Sequence, residues 1–314
     1  MLLKEPLQIK NITLQNRIVM PPMARECSED GKVPEELIDY YRQRADSTGL
    51  IIVEHEYVSE EGKASPKQLS FADDSVIDSY SLLTKAVQSV GSCIIAQINH
   101  GGKEAKTKDK FDINTMSSHD IEHVKKAFID AAKRTEKAGF DGVEIHAAHG
   151  YFLSQTYSPY TNKRTDEYGG SLENRLRLTN EIIKGVREAV SDDYLIAIRF
   201  GAYDYMEGGS KMEDIPFAVK SFVDSGADLI DISGGLCRYS NPNSKEPGWF
   251  KELSKIAKDS CDVPIILTGG VKKARDAERL LKEESCDLIG IGRAMLMDAE
   301  WSKKALKKLE NIQD

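Results

Sequence analysis

The chain has 314 residues, 40% hydrophobic and 30% charged, with a net charge of −8. That is the balance of an ordinary globular protein, long enough for one large α/β unit or two modest domains. The acidic surface argues against nucleic acid and anionic membrane as partners, since phosphate recognition needs a basic footprint.

No apolar run approaches the length that spans a bilayer, and the opening MLLKEPLQIKNITLQNR is too polar for a secretion signal. The five cysteines, Cys27, Cys93, Cys237, Cys261 and Cys286, are scattered and never paired as CxxC. This speaks against a zinc ribbon or a local iron–sulfur motif, so no metal site is expected. It fits reduced thiols in a cytoplasmic protein.

Leu7–Ile9 and Thr13–Leu14 flank Lys10–Asn11 and predict a hairpin, placed to plug the bottom of the fold. The first apolar run is Ile18–Met23, followed by a helix over Pro34–Asp46 with Pro34 in its first turn. Leu50–Val58 and the helix Ser75–Val90 come next, then Cys93–His100 and the helix Ser118–Lys137. Ser117 with Asp120 reads as a capping box for that helix. Val143–Ala147 leads into a long loop, and the helix Ser171–Val190 closes the unit. The second half repeats the pattern: Leu195–Phe200 with Asp214–Asp224, Leu229–Ser233 with Gly248–Lys258, Pro264–Thr268 with Lys273–Glu283, and Leu288–Gly292 with a terminal helix over Glu300–Leu309.

The runs are rich in Ile, Val and Leu without clean alternation, as strands buried on both faces are. Eight strand–helix units in series predict an α/β fold, a single (β/α)8 TIM barrel with an N-terminal β-hairpin plug. With no linker or charge block, residues 1–314 read as one domain.

In such barrels the chemistry lies at the C-terminal strand ends. The fourth strand delivers His146, His149 and Tyr151 within six residues. Two imidazoles and a phenol there can hold a carbonyl oxygen and deliver a proton; each could also be a plain structural residue. The first strand ends in Pro21–Pro22–Met23–Ala24–Arg25, the second in Glu54–His55–Glu56, and the third offers Gln97. The fifth points Arg199 inward, which is costly without an anion; either Glu54 or a bound ligand could supply one. Ser233–Gly234, Gly269–Gly270 and Gly292–Arg293 end the last three strands. Glycine turns ahead of helix N-termini, with a guanidinium beside them, read as a phosphate site. A phosphate at one side, an amide that can both donate and accept, and a cation further across describe a flat anionic ligand. FMN has those parts.

The segments NRIVMPPMAR, QINHGG, IHAAHGYFLSQTYSPYTNKRTDEYGGSLENR, IRF, TGGV and IGRAML together resemble the Old Yellow Enzyme family of FMN-dependent ene-reductases, in its short bacterial branch of NADH:flavin oxidoreductases. The resemblance runs from Leu7 to Leu296. It implies noncovalent FMN, NADH or NADPH as reductant, and a small α,β-unsaturated carbonyl substrate reduced in two separate hydride steps. Backbone at Pro22–Met23, Ala24 and the side chain of Gln97 would then face the flavin ring. Arg199 would stabilise its reduced form, and Ser233, Gly234, Gly269, Gly270, Gly292 and Arg293 would hold the phosphate. His146 and His149 would grip the substrate oxygen, and Tyr151 would protonate carbon.

Three positions depart from the family pattern. Ala24 stands where relatives carry Cys or Thr, and Glu26 where close relatives place a substrate-contacting Tyr. His55 replaces an Ala beside the flavin, where it would contact the ring or pair with Glu56. In RTDEYGGSLENR, Asp166, Tyr168 and the glycines suit a tight turn, Ser171 suits a helix cap, and Arg164 and Arg175 suit loop ties. Rival readings are a flavin barrel acting on nucleic acid, such as a dihydrouridine synthase, a phosphate-binding lyase or isomerase, and a non-catalytic flavin carrier. The oligomeric state is left open, a homo-oligomer included.

Overall fold

The computed structural model of the chain describes residues 1–310. The hairpin forms first: β1 (Leu7–Ile9) pairs antiparallel with β2 (Ile12–Leu14). Then β3 (Ile18–Met20), α1 (Glu35–Ala45), β4 (Leu50–Tyr57), α2 (Ile77–Gln88), β5 (Cys93–Asn99), α3 (Ser118–Lys137) and β6 (Gly142–Ala147) come in turn. The chain continues through α4 (Phe152–Tyr157), α5 (Leu172–Ala189), β7 (Leu195–Gly201), α6 (Ile215–Asp224), β8 (Leu229–Ser233), α7 (Lys251–Lys258), β9 (Ile265–Thr268), α8 (Ala274–Lys282), β10 (Leu288–Gly290), α9 (Arg293–Met297) and α10 (Trp301–Glu310).

β3 to β10 close a parallel barrel in which β10 pairs with both β9 and β3. Its axis is filled by Val19, Leu50, Ile52, Ile95, Leu195, Leu229, Ile266 and Leu288, all fully buried. Ile9 and Leu14 of the hairpin join that inner cluster, so the hairpin does close the bottom. A second cluster lies between strands and helices, with Tyr41, Phe71, Tyr80, Phe128 and Phe222 among its largest members.

The expected elements appear with ends moved by one to three residues. β3 stops at Met20, short of the expected Met23, because Pro21 and Pro22 have no N–H to give the ladder. Pro34 is the N-cap of α1 rather than part of it. The Ser117–Asp120 capping box is present, and Ser171 Oγ accepts from the Asn174 N–H. The long loop expected after Val143–Ala147 is partly helical: α4 occupies it, with all six residues buried. A short helix buried on every side, with Ser154, Gln155 and Thr156 as enclosed as Phe152 and Leu153, shows no amphipathic period and so reads as loop.

One irregularity matters for the site. Ile52 pairs with Ile95, but the next partners are His55 and Gln97. The bulge inserts one residue into β4 and exchanges its faces. His55 therefore turns toward the barrel interior. Glu54 turns toward α1, where its backbone N–H bonds Tyr41 Oη at 2.9 Å. Among the described residues no helix is long and apolar enough to cross a membrane.

Candidate active site

The last turn of β6 builds the centre of the site. After Ala147 the chain must reverse, and it does so through His149 (φ 61°) and Gly150 (φ 76°). A left-handed histidine is held against its preference. Here its N–H bonds Gly234 O at 3.2 Å and its Nε2 lies 2.7 Å from Ser233 Oγ. The turn throws Tyr151 back over the strand mouth and starts α4, whose Gln155 ties Gly101 and Gly150 to it. The His146 ring lies 5.0 Å from His149 and 5.2 Å from Tyr151. Burial, and after it the neighbouring imidazoles and Arg199, hold both histidines well below their ordinary pKa. Burial raises Tyr151. At neutral pH the three are two neutral imidazoles and an intact phenol.

They open onto a cavity of about 370 Å³, the size range of small-molecule sites. Pro22, Met23 and Ala24 line it from the segment after β3, His55 and Gln97 from β4 and β5, and Arg199 from β7. Gly269, Gly270, Gly292 and Arg293 line the far side. Ser233 and Gly234, expected at the phosphate, do not line the cavity; they hold His149 instead. Glu26 does not line it either: its N–H and that of Arg25 bond Glu54 Oε2 at 3.2 and 2.7 Å.

The anion expected beside Arg199 is corrected by the structure. Glu54 faces α1 and caps those two N–H groups, whereas Asp231 of β8 lies 3.2 Å from Arg199 Nε. Glu144 completes the layer, accepting from Gln97 Nε2 at 2.7 Å. Burial, then Asp231, pushes the Glu144 carboxyl up; Asp231 is raised by burial and held back by Arg199. The ion pair of this layer is Arg199–Asp231, and burial biases the Glu144 carboxyl beside it toward the neutral form.

The far side is a glycine cradle. A Cβ on Gly290 would come 1.9 Å from Thr268 Oγ1, and one on Gly292 would come 3.0 Å from Met23 Sδ. Gly270 sits at φ 68°. Only glycine fits against these neighbours, and its bare backbone faces the cavity. The Arg293 guanidinium stands 5.2 Å from the Trp249 ring centroid and has no carboxylate partner among the described residues. A bare glycine turn with an unpaired guanidinium fits a phosphate. Gln97, Arg199 and the buried, unpartnered Nδ1 of His146 fit a polar ring further in.

Behind the site, Arg164 donates to Ile113 O and Met116 O, and Arg175 to Tyr157 O and Gly170 O. The segment is a loop tie, as expected. Sequence reasoning missed Glu144 and Asp231, although both share the inward face of strands whose ends were read. It also missed Tyr239, Trp249 and Lys272, which reach the cavity from loops and carry no local signal.

A parallel barrel with a phosphate cradle, a ring-sized cavity and redox-suited donors defines a flavin-binding oxidoreductase barrel. The chain matches the NADH:flavin oxidoreductase / NADH oxidase family over residues 2–311 and belongs to it, as an Old Yellow Enzyme-type protein with noncovalent FMN and a nicotinamide reductant. It is 36% identical to an NADH oxidase of Thermoanaerobacter brockii, over 97% of this chain but 50% of that protein. It is 35% identical to an NADPH dehydrogenase of Clostridium acetobutylicum, over 93% of this chain and 91% of that one. Two solved structures superpose on it. A 2-naphthoyl-CoA reductase in complex with 2-naphthoyl-CoA gives a TM-score of 0.91 at 27% identity, covering 98% of this chain and 52% of that one. An old yellow enzyme homologue from Zymomonas mobilis gives 0.85 at 26%, covering 98% and 92%.

Proposed function

We propose that the chain reduces the C=C bond of α,β-unsaturated carbonyl compounds with electrons from NADH or NADPH. The observation that carries this reading is the His146–His149–Tyr151 turn, with two neutral imidazoles and an un-ionised phenol within about one ring diameter of each other. FMN, when bound, supplies the hydride chemistry at N5, accepting from the nicotinamide and donating to carbon. Gly269, Gly270, Gly292 and Arg293 would hold its phosphate, with Pro22, Met23, Ala24, Gln97 and Arg199 about its ring.

His146 and His149 would each donate to the carbonyl oxygen of the substrate, where negative charge grows as the β-carbon is reduced. Neutral imidazoles suit this, because a fixed N–H stabilises that charge without adding a buried cation. Ser233 and Gly234 orient His149 for the task. Tyr151 would give its proton to the α-carbon; its pKa suits a strongly basic, enolate-like carbon. Anaerobic rapid mixing tests this directly. The protein should be reduced by NADH or NADPH and reoxidised by 2-cyclohexenone. Reduction by nicotinamide with no reoxidation by any of a panel of enones would refute the substrate class and leave the flavin assignment standing.

A further inference from the structure

His55 has a tautomer the surrounding chain dictates. Its Nδ1 lies 3.1 Å from Gln68 Nε2 and 3.0 Å from Asn99 Nδ2. The Gln68 amide has no freedom to turn: its oxygen accepts the Ala64 N–H at 2.6 Å and its nitrogen also donates to His55 O at 3.1 Å. The group facing Nδ1 is therefore an N–H donor, and Nδ1 must accept. A neutral His55 carries its proton on Nε2. Protonating Nδ1 would set N–H against N–H, so the ring stays neutral. Burial and the Arg199 charge act the same way, lowering its pKa to about 4.

The β4 bulge sets this ring level with Gln97, its register partner. The ring lines the cavity, lies 5.2 Å from Tyr151 and 6.1 Å from His146, and has its Nδ1 edge occupied by the two amides. Around the mouth, β7, β5 and β4 present Arg199, Gln97 and His55 in that order, with His146 of β6 between the first two and Ala24 beyond His55. The polar edge of a flavin runs N1, C2=O, N3–H, C4=O, N5. With Arg199 at the end where the reduced ring is anionic and Gln97 at the amide-like middle, the next donor meets the C4=O end.

We infer that His55 is a fixed, uncharged Nε2–H donor to the C4=O/N5 end of FMN and tunes the redox potential of the flavin. Ala24, on the adjoining segment, has no polar side-chain atom to offer there. A hydrogen bond to that carbonyl favours the electron-richer reduced ring, so its loss makes the flavin harder to reduce. The inference rests on FMN being the cofactor.

The test uses the full chain loaded with FMN. Histidine ¹⁵N spectra should show His55 protonated at Nε2 alone. His55→Phe keeps a ring against Tyr151 but has no N–H, and His55→Gln keeps a donor. His55→Phe should lower the midpoint potential, shift the visible flavin absorption, and weaken FMN binding about fivefold, the worth of one neutral hydrogen bond. His55→Gln should stay close to wild type in all three. A His55 protonated at Nδ1, or a His55→Phe potential equal to wild type, overturns the inference. Weaker phenol binding at an unchanged potential would place the N–H on substrate and also overturn it. If the wild-type chain takes up no FMN at all, the cofactor assignment itself fails, and that is seen before any variant is made.

Discussion

Replacing Tyr151 by Phe separates proton delivery from everything else the site does. The Tyr151 ring packs between His55 and His146, each about one ring away, and the phenyl ring of the variant keeps both contacts. Its hydroxyl is bonded to no protein atom among the described residues, so its removal leaves no partner stranded. Fold, FMN retention and reduction by nicotinamide should all be unchanged within about twofold. The enone half-reaction should slow by roughly 10² to 10⁴, the usual worth of a placed general acid. That is about 3–5 kcal/mol of barrier at 1.36 kcal/mol per decade. The lower end applies if water can reach the α-carbon as a substitute acid. Rapid mixing under anaerobic conditions measures each half alone, the first by flavin bleaching, the second by its return. Equal slowing of both halves would mean that Tyr151 positions the cofactor or the fold, and the proton would have to come from elsewhere.

The same geometry sets three more expectations. Arg293→Ala should weaken FMN binding roughly 10- to 100-fold by removing a charge-assisted phosphate contact, read by flavin fluorescence on titration of the apoprotein; enone turnover at saturating FMN should change far less. Ser233→Ala takes the 2.7 Å partner from His149 and should weaken binding of a phenol such as 4-hydroxybenzaldehyde about fivefold, with the flavin potential unmoved; an unchanged dissociation constant would show that the turn alone orients the ring. Glu56 is fully buried and neither carboxyl oxygen has a partner; burial, then Glu54, raises its pKa well above the ordinary value. A folded pKa above the unfolded one gives a contribution to stability that is full below about pH 4.5 and is lost as pH rises through the folded value. Glu56→Gln removes the titration, so its melting temperature relative to wild type should climb between pH 5 and pH 8, and a pH-independent difference would count against a buried carboxyl without a partner.

The barrel was legible because each strand is a short apolar run and the two longest helices, α3 and α5, carry their own caps. Ser117, Ser171 and the prolines mark ends that the backbone must respect whatever the tertiary context. The site was legible where function needs an unusual residue at a strand end: His146, His149, Tyr151, Gln97, Arg199 and Arg293 all face the cavity. It failed at Glu54 for a specific reason. Strict alternation from Ile52 places Glu54 inward, but the inserted residue in β4 reverses every face beyond it. Nothing in IIVEHEY announces a bulge. The same shift hid the orientation of His55, the residue whose role the sequence left open. Ser233 carries a contact that the sequence did not show. A glycine-rich strand end suits phosphate, yet here the turn after β6 leans on it, and that contact spans 84 residues of sequence.

The charges of the mouth are arranged so that few of them are free. Glu54 is spent on two backbone N–H groups, Glu144 accepts from Gln97, and Asp231 is paired with Arg199. The three imidazoles that face the cavity are neutral by burial. What remains is Arg293 and Lys272 beside the glycine cradle and a part-neutralised Arg199 across the cavity. A cavity with a full positive charge beside the ring would bind the reduced, anionic flavin too tightly to release electrons readily. One with none would leave that form without stabilisation. Asp231 shares the Arg199 charge without entering the cavity, so a flavin held there would meet a charge between these limits. By the same logic, under the proposed function the neutral donors His146 and His149 would strengthen their hold on oxygen as charge builds there and hold the uncharged product less. The arrangement favours the charged transition state over either neutral end of the reaction.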